Sequence, residues 1–437
     1  MKIKKLVISL LALAMIASLC AVSVMADGAN DNVIFICDNA QGDGSSADSP
    51  LKPTTGNYDT SATNADKFKD AALYQAWEKL MAKGGGTIVI CGPYTLDDSN
   101  CRPVGKASCD FIMDATLYKP DITITYTSVW DGVDYRTTNN AELVMAGKSH
   151  LTFPTGTVIQ DLTVRATNEN PDHFLCGGVN PLTLSKGTNF IPFEEGNPDA
   201  YPIVVGAFRN NNVGIKEGDT NILIDIGDEN TIGKVFGSCN GGNGKHSGNM
   251  NITIKSGNID GVYGDSRCVS QVPIMGDVNI NLEGGSYRGL VAGVNVGFAG
   301  KCDKVVNLKV TGGNFENCLG VQAYTSTADA VMPEVFNVDC SGAPMETANQ
   351  IKNVVDFTAN LIMPDSSNQG NDDPATGDPE PSQDATEGNS NEESKAPATD
   401  KPATDKPASN NTWIYIVAAV AVVAVVVVVI VVIKKKK

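Results

Sequence analysis

Asp260 and Arg288 occupy equivalent places in consecutive sequence repeats, nine residues past a leading Asn, and the same place holds Asn230 one repeat earlier and Glu316 one repeat later. Asp265 and Arg267 flank the same edge in the string GDSR. A carboxylate and a guanidinium one turn apart can bind a uronate or move a proton in general acid–base work. The plainer reading is a ladder of alternating charge that relieves like-charge stacking between strands. A second cluster of oxygen-bearing side chains, Asn39, Gln41 and Asp43 before Gly44, resembles the start of a calcium loop. Its twelfth position is Pro50, where such a loop needs a bidentate Glu, so an ordinary glycine turn explains it as well. No cofactor is expected, and Ca²⁺ is the one metal the residues suggest.

Ten cysteines follow residue 26, an even number that suits disulfides in an exported chain. Cys239 and Cys268 stand 18 and 17 residues after their leading Asn, which makes them a pair for neighbouring turns, and Cys101 and Cys109 can close a short loop. Cys318 and Cys340 fall in apolar columns and read as buried thiols. No Cys-x-x-Cys pair points to zinc. His150, His173 and His246 lie in no catalytic context, and Tyr263 and Tyr287 sit in adjacent repeats at different registers.

These residues are positioned by a repeat of Asn, apolar, any, apolar, any, small, Gly. It begins at Asn221, Asn251, Asn279, Asn307 and Asn337, with spacings of 30, 28, 28 and 30 residues. Looser copies open with Asp at Asp121 and Asp161. Ile222, Ile252, Ile280, Leu308 and Val338 form one apolar column, and Ile224, Ile254, Leu282, Val310 and Cys340 form another. A further column is read at Ile232, Val262, Leu290 and Cys318. Period-2 alternation of β-branched residues makes strands, and a unit this short buries nothing alone. The expectation is an all-β parallel β-helix of about ten turns from Thr87 to Met363, each turn about 4.8 Å above the last. The Asn column is expected to form an amide ladder.

Ahead of the repeats, Asp66 to Lys83 carries Phe68, Ala72, Leu73, Ala76, Trp77, Leu80 and Met81 on one helical stripe, with Asn64 or Asp66 as cap and Gly84-Gly85-Gly86 as stop. The opening GDG...SPLK, this helix and GGGTIVICGPYTL resemble the N-terminus of right-handed parallel β-helix proteins of the pectate-lyase-like superfamily. The likeness covers Val33 to Leu96 in detail. It implies a right-handed solenoid whose open end is plugged by the helix. It also implies, for lyases, Ca²⁺ held by Asp or Glu with an Arg as base. The Asn-Thr-Asp, Gly-His-Gly and Arg-Ile-Lys strings of the related galacturonan hydrolases are absent.

Both ends carry addresses. Lys2, Lys4 and Lys5 precede an apolar run, and residues 1–26 read as a secretory signal peptide. Residues 27–86 form the N-terminal strand, loop and capping helix, and residues 87–363 the β-helix. Residues 364–412, with 11 Asp and Glu against 3 Lys, read as a disordered acidic linker. Residues 413–433 carry no charge and are long enough for a membrane helix, and Lys434 to Lys437 place the tail in the cytoplasm. The net charge of −17 argues against nucleic acid as a partner. The expected protein is a membrane-tethered cell-surface module that contacts glycans or another surface without catalysis. The alternative is a cell-attached polysaccharide lyase or glycoside hydrolase.

Overall fold

The computed structural model describes residues 32–53, 67–97, 102–103, 109–113, 115–147, 149–167, 173–208, 216–238, 246–264, 276–294, 305–324 and 335–365. The chain divides into two units, residues 1–369 and 370–437. The second lies wholly outside the described residues, as do the signal-peptide and membrane-span expectations and the linker beyond residue 365. Among the described residues no helix is long and apolar enough to cross a membrane.

The described part is mostly β. An eleven-stranded sheet runs from Val33–Ile36 to Asn360–Ile362 with its strands in chain order, and a ten-stranded sheet begins at Arg102–Pro103 and reaches Gly320–Tyr324. A four-stranded sheet (Tyr94–Leu96, Leu143–Met145, Thr163–Ala166, Asn189–Ile191) accompanies the earlier turns. Pairing within the eleven-stranded sheet is parallel throughout, as a chain that visits the same sheet once per turn requires. This arrangement is consistent with a parallel β-helix. The Val33–Ile36 strand, read from sequence as part of a separate N-terminal region, is the first rung, paired with Gly86–Ile90.

The repeat columns hold in the first sheet. Asn221, Asn251, Asn279, Asn307, Asn337 and Asn360 lie opposite one another, and Ile222, Ile252, Ile280, Leu308, Val338 and Leu361 follow them. Ile252 and Ile254 are fully buried, as a two-residue alternation facing a core demands. On the outer face each Asn Nδ2 donates to the Oδ1 of the Asn one turn earlier, at 3.1, 3.0, 3.0, 2.9 and 3.2 Å from Asn251 to Asn360. Two residues upstream runs a second ladder that the sequence reading missed. Asp219 Oδ1 accepts from Asn249 N (2.8 Å), Asn249 Oδ1 from Asp277 N (3.0 Å) and Asp277 Oδ1 from Val305 N (3.3 Å).

Three expected alignments differ. Ile124, not Ile122, shares the Ile222 column by way of Thr157 and Leu182, so Asp121 precedes the leading place. The Asp161 copy feeds Thr163–Ala166, which belongs to the four-stranded sheet. Ile232 pairs with Ile259, while Val262 pairs with Val235 and Val291, because the chain from Asp225 to Thr231 is four residues longer than its counterpart from Ser256 to Asn258.

Both ends of the core are covered by helices. Ala72–Ala82 buries Leu73, Ala76, Trp77 and Leu80 against the first rungs, and Trp77 Nε1 donates to the hydroxyl of Tyr126. Gly84 has φ of 85°, which ends the helix as expected. The described helix begins later than Asp66, after a 3₁₀ turn at Lys67–Asp70, and both cap candidates lie outside the described residues. At the other end Met345–Val354 buries Ala348 and Ile351. Thr347 Oγ1 donates to Gly313 O (2.9 Å), and Gln350 Oε1 accepts from Phe315 N (2.8 Å).

A column of glycines marks one corner. Gly177, Gly206, Gly237 and Gly264 each donate N–H to the next turn. A Cβ on Gly237 would come within 2.0 Å of Gly264 O, and one on Gly206 within 2.2 Å of Gly237 O. Close stacking of the turns is what demands glycine there.

Candidate functional site

The strand Asn258–Tyr263 turns its side chains Ile259 and Val262 inward, both fully buried. Two residues, Asp260 and Gly261, lie between them, so the strand bends and Asp260 stands on the outer corner. The rung before repeats the bend with Gly233 and Lys234 between Ile232 and Val235. The rung after breaks there altogether, into Ser286–Tyr287 and Leu290–Val294, leaving Arg288 and Gly289 at the gap. Because Ile259 pairs with Tyr287, the next residues, Asp260 and Arg288, are neighbours. Gly289 permits this, since a Cβ there would lie 1.5 Å from Asp260 O.

Arg288 Nη2 meets Asp260 Oδ1 at 2.9 Å, with the Arg side chain 51% exposed and the Asp side chain 8% exposed. Asp260 Oδ2 is buried and has no hydrogen-bond partner among the described residues. Burial pushes the Asp260 carboxyl above the usual aspartate range, and the attraction of Arg288 and Lys234 does not fully offset it. The repulsion of Asp199 adds to the rise.

Asp199 arrives from a different part of the chain. Asn197 caps a 3₁₀ turn at Pro198–Ala200 by accepting from Asp199 N at 2.9 Å, and Asp199 Oδ1 pairs with Lys234 Nζ. Tyr201 follows the turn. Burial raises its phenol pKa, the charge of Asp260 raises it further, and Arg288 and a hydrogen bond with Thr231 oppose the rise. One corner therefore gathers two carboxylates, two cations and a phenol. Chemically it can accept from hydroxyls, donate to a carboxylate and hold a proton on Asp260 at a higher pH than a free aspartate does. Beside it Phe236 and Tyr263 stack at 4.7 Å and 11°.

Of the residues singled out by sequence, Asp260 and Arg288 are brought together. Glu316 lies on the following rung, its amide donating to Asn314 Oδ1 at 3.0 Å, while the ion pair of Arg288 is with Asp260. Asn230 leaves the column, since its carbonyl accepts from Asn258 N at 2.8 Å. Asp265 and Arg267 lie outside the described residues. Sequence reasoning missed Lys234, Asp199 and Tyr201. Lys234 carried a signal, its place between the apolar residues Ile232 and Val235, but the Pro198–Ala200 turn did not.

Asn39 has φ of 59°, and Asp43 Oδ1 accepts from Ser45 N (3.0 Å), Ser45 Oγ (2.6 Å) and Ser49 Oγ (3.1 Å). Those bonds lower the Asp43 carboxyl to about 2. The loop that holds Asn39, Gln41 and Asp43 thus closes on its own serines. Among the described residues no group of three or more His, Cys, Asp or Glu is placed to hold a metal ion. Cys101, Cys239 and Cys268 lie outside the described residues, and only the backbone of Cys109 is described. Cys318 and Cys340 are buried free thiols. Another pairing that no sequence motif announced joins His150 Nδ1 to Asp110 Oδ1 at 2.6 Å, with the His fully buried against Phe174.

Comparison of the chain with protein-family models, curated proteins and solved structures finds no match in any of the three.

Proposed function

We propose that the protein is a cell-surface module that binds carboxylate-bearing glycans at the Asp260–Arg288 corner without cleaving them. In this reading it is a right-handed β-helix of the pectate-lyase-like type, exported by residues 1–26 and anchored by residues 413–433, with its bulk outside the cell. The observation that carries the binding reading is the state of Arg288. Its guanidinium spends one nitrogen on Asp260 and is half exposed, so among the described residues further N–H donors stay open for the planar, bidentate grip that Arg gives a carboxylate. Lys234 and Tyr201 border the same corner and supply a second cation and an aromatic edge.

The burial of Asp260 Oδ2 supports binding over catalysis. A general acid must reach within about 3 Å of the oxygen it protonates, and this oxygen faces the protein. The raised Asp260 pKa favours a second reading, a lyase or glycoside hydrolase on acidic polysaccharide, because a carboxyl that keeps its proton is what an acid catalyst needs.

One experiment separates them. The full chain is mixed with a polyuronate and with a neutral glucan, with and without Ca²⁺, and both retention and new reducing or unsaturated ends are measured. The binding reading expects retention of the polyuronate alone, no new ends, and about tenfold or greater weakening in Arg288→Ala. New chain ends that vanish in Arg288→Ala would establish the enzyme.

A further inference from the structure

We infer that Cys37 and Cys91 form a disulfide site that clips the first rung of the eleven-stranded sheet to the second, because the register of those two strands places the two thiols side by side on one face. The pairing of Val33–Ile36 with Gly86–Ile90 ends at Ile36 opposite Ile90, and Cys91 N donates to Ile36 O at 3.1 Å. Cys37 and Cys91 are the next residue on each strand. Neighbouring strands lie about 4.8 Å apart, inside the roughly 4.4–6.8 Å between Cα atoms that a disulfide spans.

The surroundings hold the pair in place. Cys91 is buried in an outer-face cluster with Val33, Phe35 and Val89, against which Cys37, Trp130 and Tyr135 pack. Asn139 Nδ2 donates to Cys91 O at 2.9 Å. The two thiols are within hydrogen-bonding reach of each other, and both are free here. Burial raises the pKa of both, that of Cys91 to about 12, so neither is a ready thiolate. That suits a bond made once by exchange and then kept.

The step needs a disulfide oxidant, such as oxidised glutathione or an exported dithiol oxidant in its disulfide form. The less buried Cys37 Sγ attacks one sulfur of the oxidant, forming a mixed disulfide and releasing the first thiol, which takes the Cys37 proton. Cys91 Sγ then attacks Cys37 Sγ, the mixed disulfide breaks, and the second thiol leaves with the Cys91 proton. Two protein thiols are oxidised and one disulfide is reduced. The loop so closed contains the N-terminal helix, tying the covered end of the core together. This inference does not depend on what the Asp260 corner binds.

The test takes the full chain, oxidises it with excess oxidised glutathione, unfolds it in alkylating agent and maps the peptides by mass spectrometry. The expected result is one linked pair joining Cys37 to Cys91, assigned by fragmentation to Cys91 rather than to Cys101 on the same peptide. Reduction should release it, Cys37→Ser should abolish it, and the oxidised chain should melt about 5 °C or more above the reduced one. Recovery of both cysteines alkylated would overturn the proposal. So would glutathione retained on Cys37, or a bond from either residue to another cysteine.

Discussion

Arg288 grips one oxygen of Asp260 and leaves the other, Oδ2, enclosed without a donor among the described residues. The pair is therefore unequal: the cation is half in water, and the anion is almost wholly removed from it. Most of the desolvation cost falls on Asp260, and its raised pKa is the sign of that cost.

Asp260→Asn should make the stability less dependent on pH. A carboxyl whose folded pKa is raised binds its proton more tightly when folded. Its contribution is most favourable below the ordinary aspartate value and is lost as pH rises through the raised one. The wild-type melting temperature, measured against that of Asp260→Asn, should therefore fall from about pH 4 upward. At neutral pH the two should differ by about 1 kcal/mol or less, since Asn still accepts from Arg288. A difference that stays constant with pH would refute the assignment.

Asn279→Ala removes two rungs of the amide ladder at once, the bond to Asn251 and the bond from Asn307. The expected cost is about 1–2 kcal/mol in urea unfolding. Asn360→Ala, which loses one exposed bond, should cost less than half as much. Equal costs would mean that the ladder bonds do not set the loss.

Gly237→Ala tests the close stacking of the turns. Its φ is not in the left-handed region, so any loss comes from the 2.0 Å approach of the new methyl to Gly264 O. About 1–3 kcal/mol of destabilisation is expected. Gly84→Ala, which has a positive φ but open space, should cost about 1 kcal/mol.

Ile351→Ala empties the centre of the C-terminal helix contact and should cost about 2–5 kcal/mol. Hydrogen exchange should quicken first in Gly320–Tyr324 and Asn360–Ile362, while Val33–Ile36 stays protected. Trp77→Ala should produce the opposite pattern at a cost of about 3–5 kcal/mol.

The first sheet was legible because Asn, Ile and Ile recur at fixed offsets and no bulge interrupts Asn221 to Ile224 and their successors. Four extra residues between Asp225 and Thr231 were enough to misalign the second sheet, since nothing in Ile232 says whether it lies over Ile259 or Val262. The C-terminal helix was missed because Ala348 and Ile351 are too few to stand out over ten residues. The sixth ladder member, Asn360, was missed because the C-terminal helix displaces it from the usual period. Two of the five groups at the candidate site, Asp260 and Arg288, were readable. Asp199 was not, because its contact with Lys234 depends on how one loop folds back, and spacing carries no record of that.

Every amide in the Asn ladder points the same way, each NH₂ toward the earlier turn. Side-chain dipoles that line up in series add, whereas a sheet's own backbone dipoles largely cancel. The row is thus a wire of aligned dipoles with its partial positive pole at Asn221 and its partial negative pole at Asn360. Its two tips are chemically different: one offers N–H and the other offers a carbonyl oxygen.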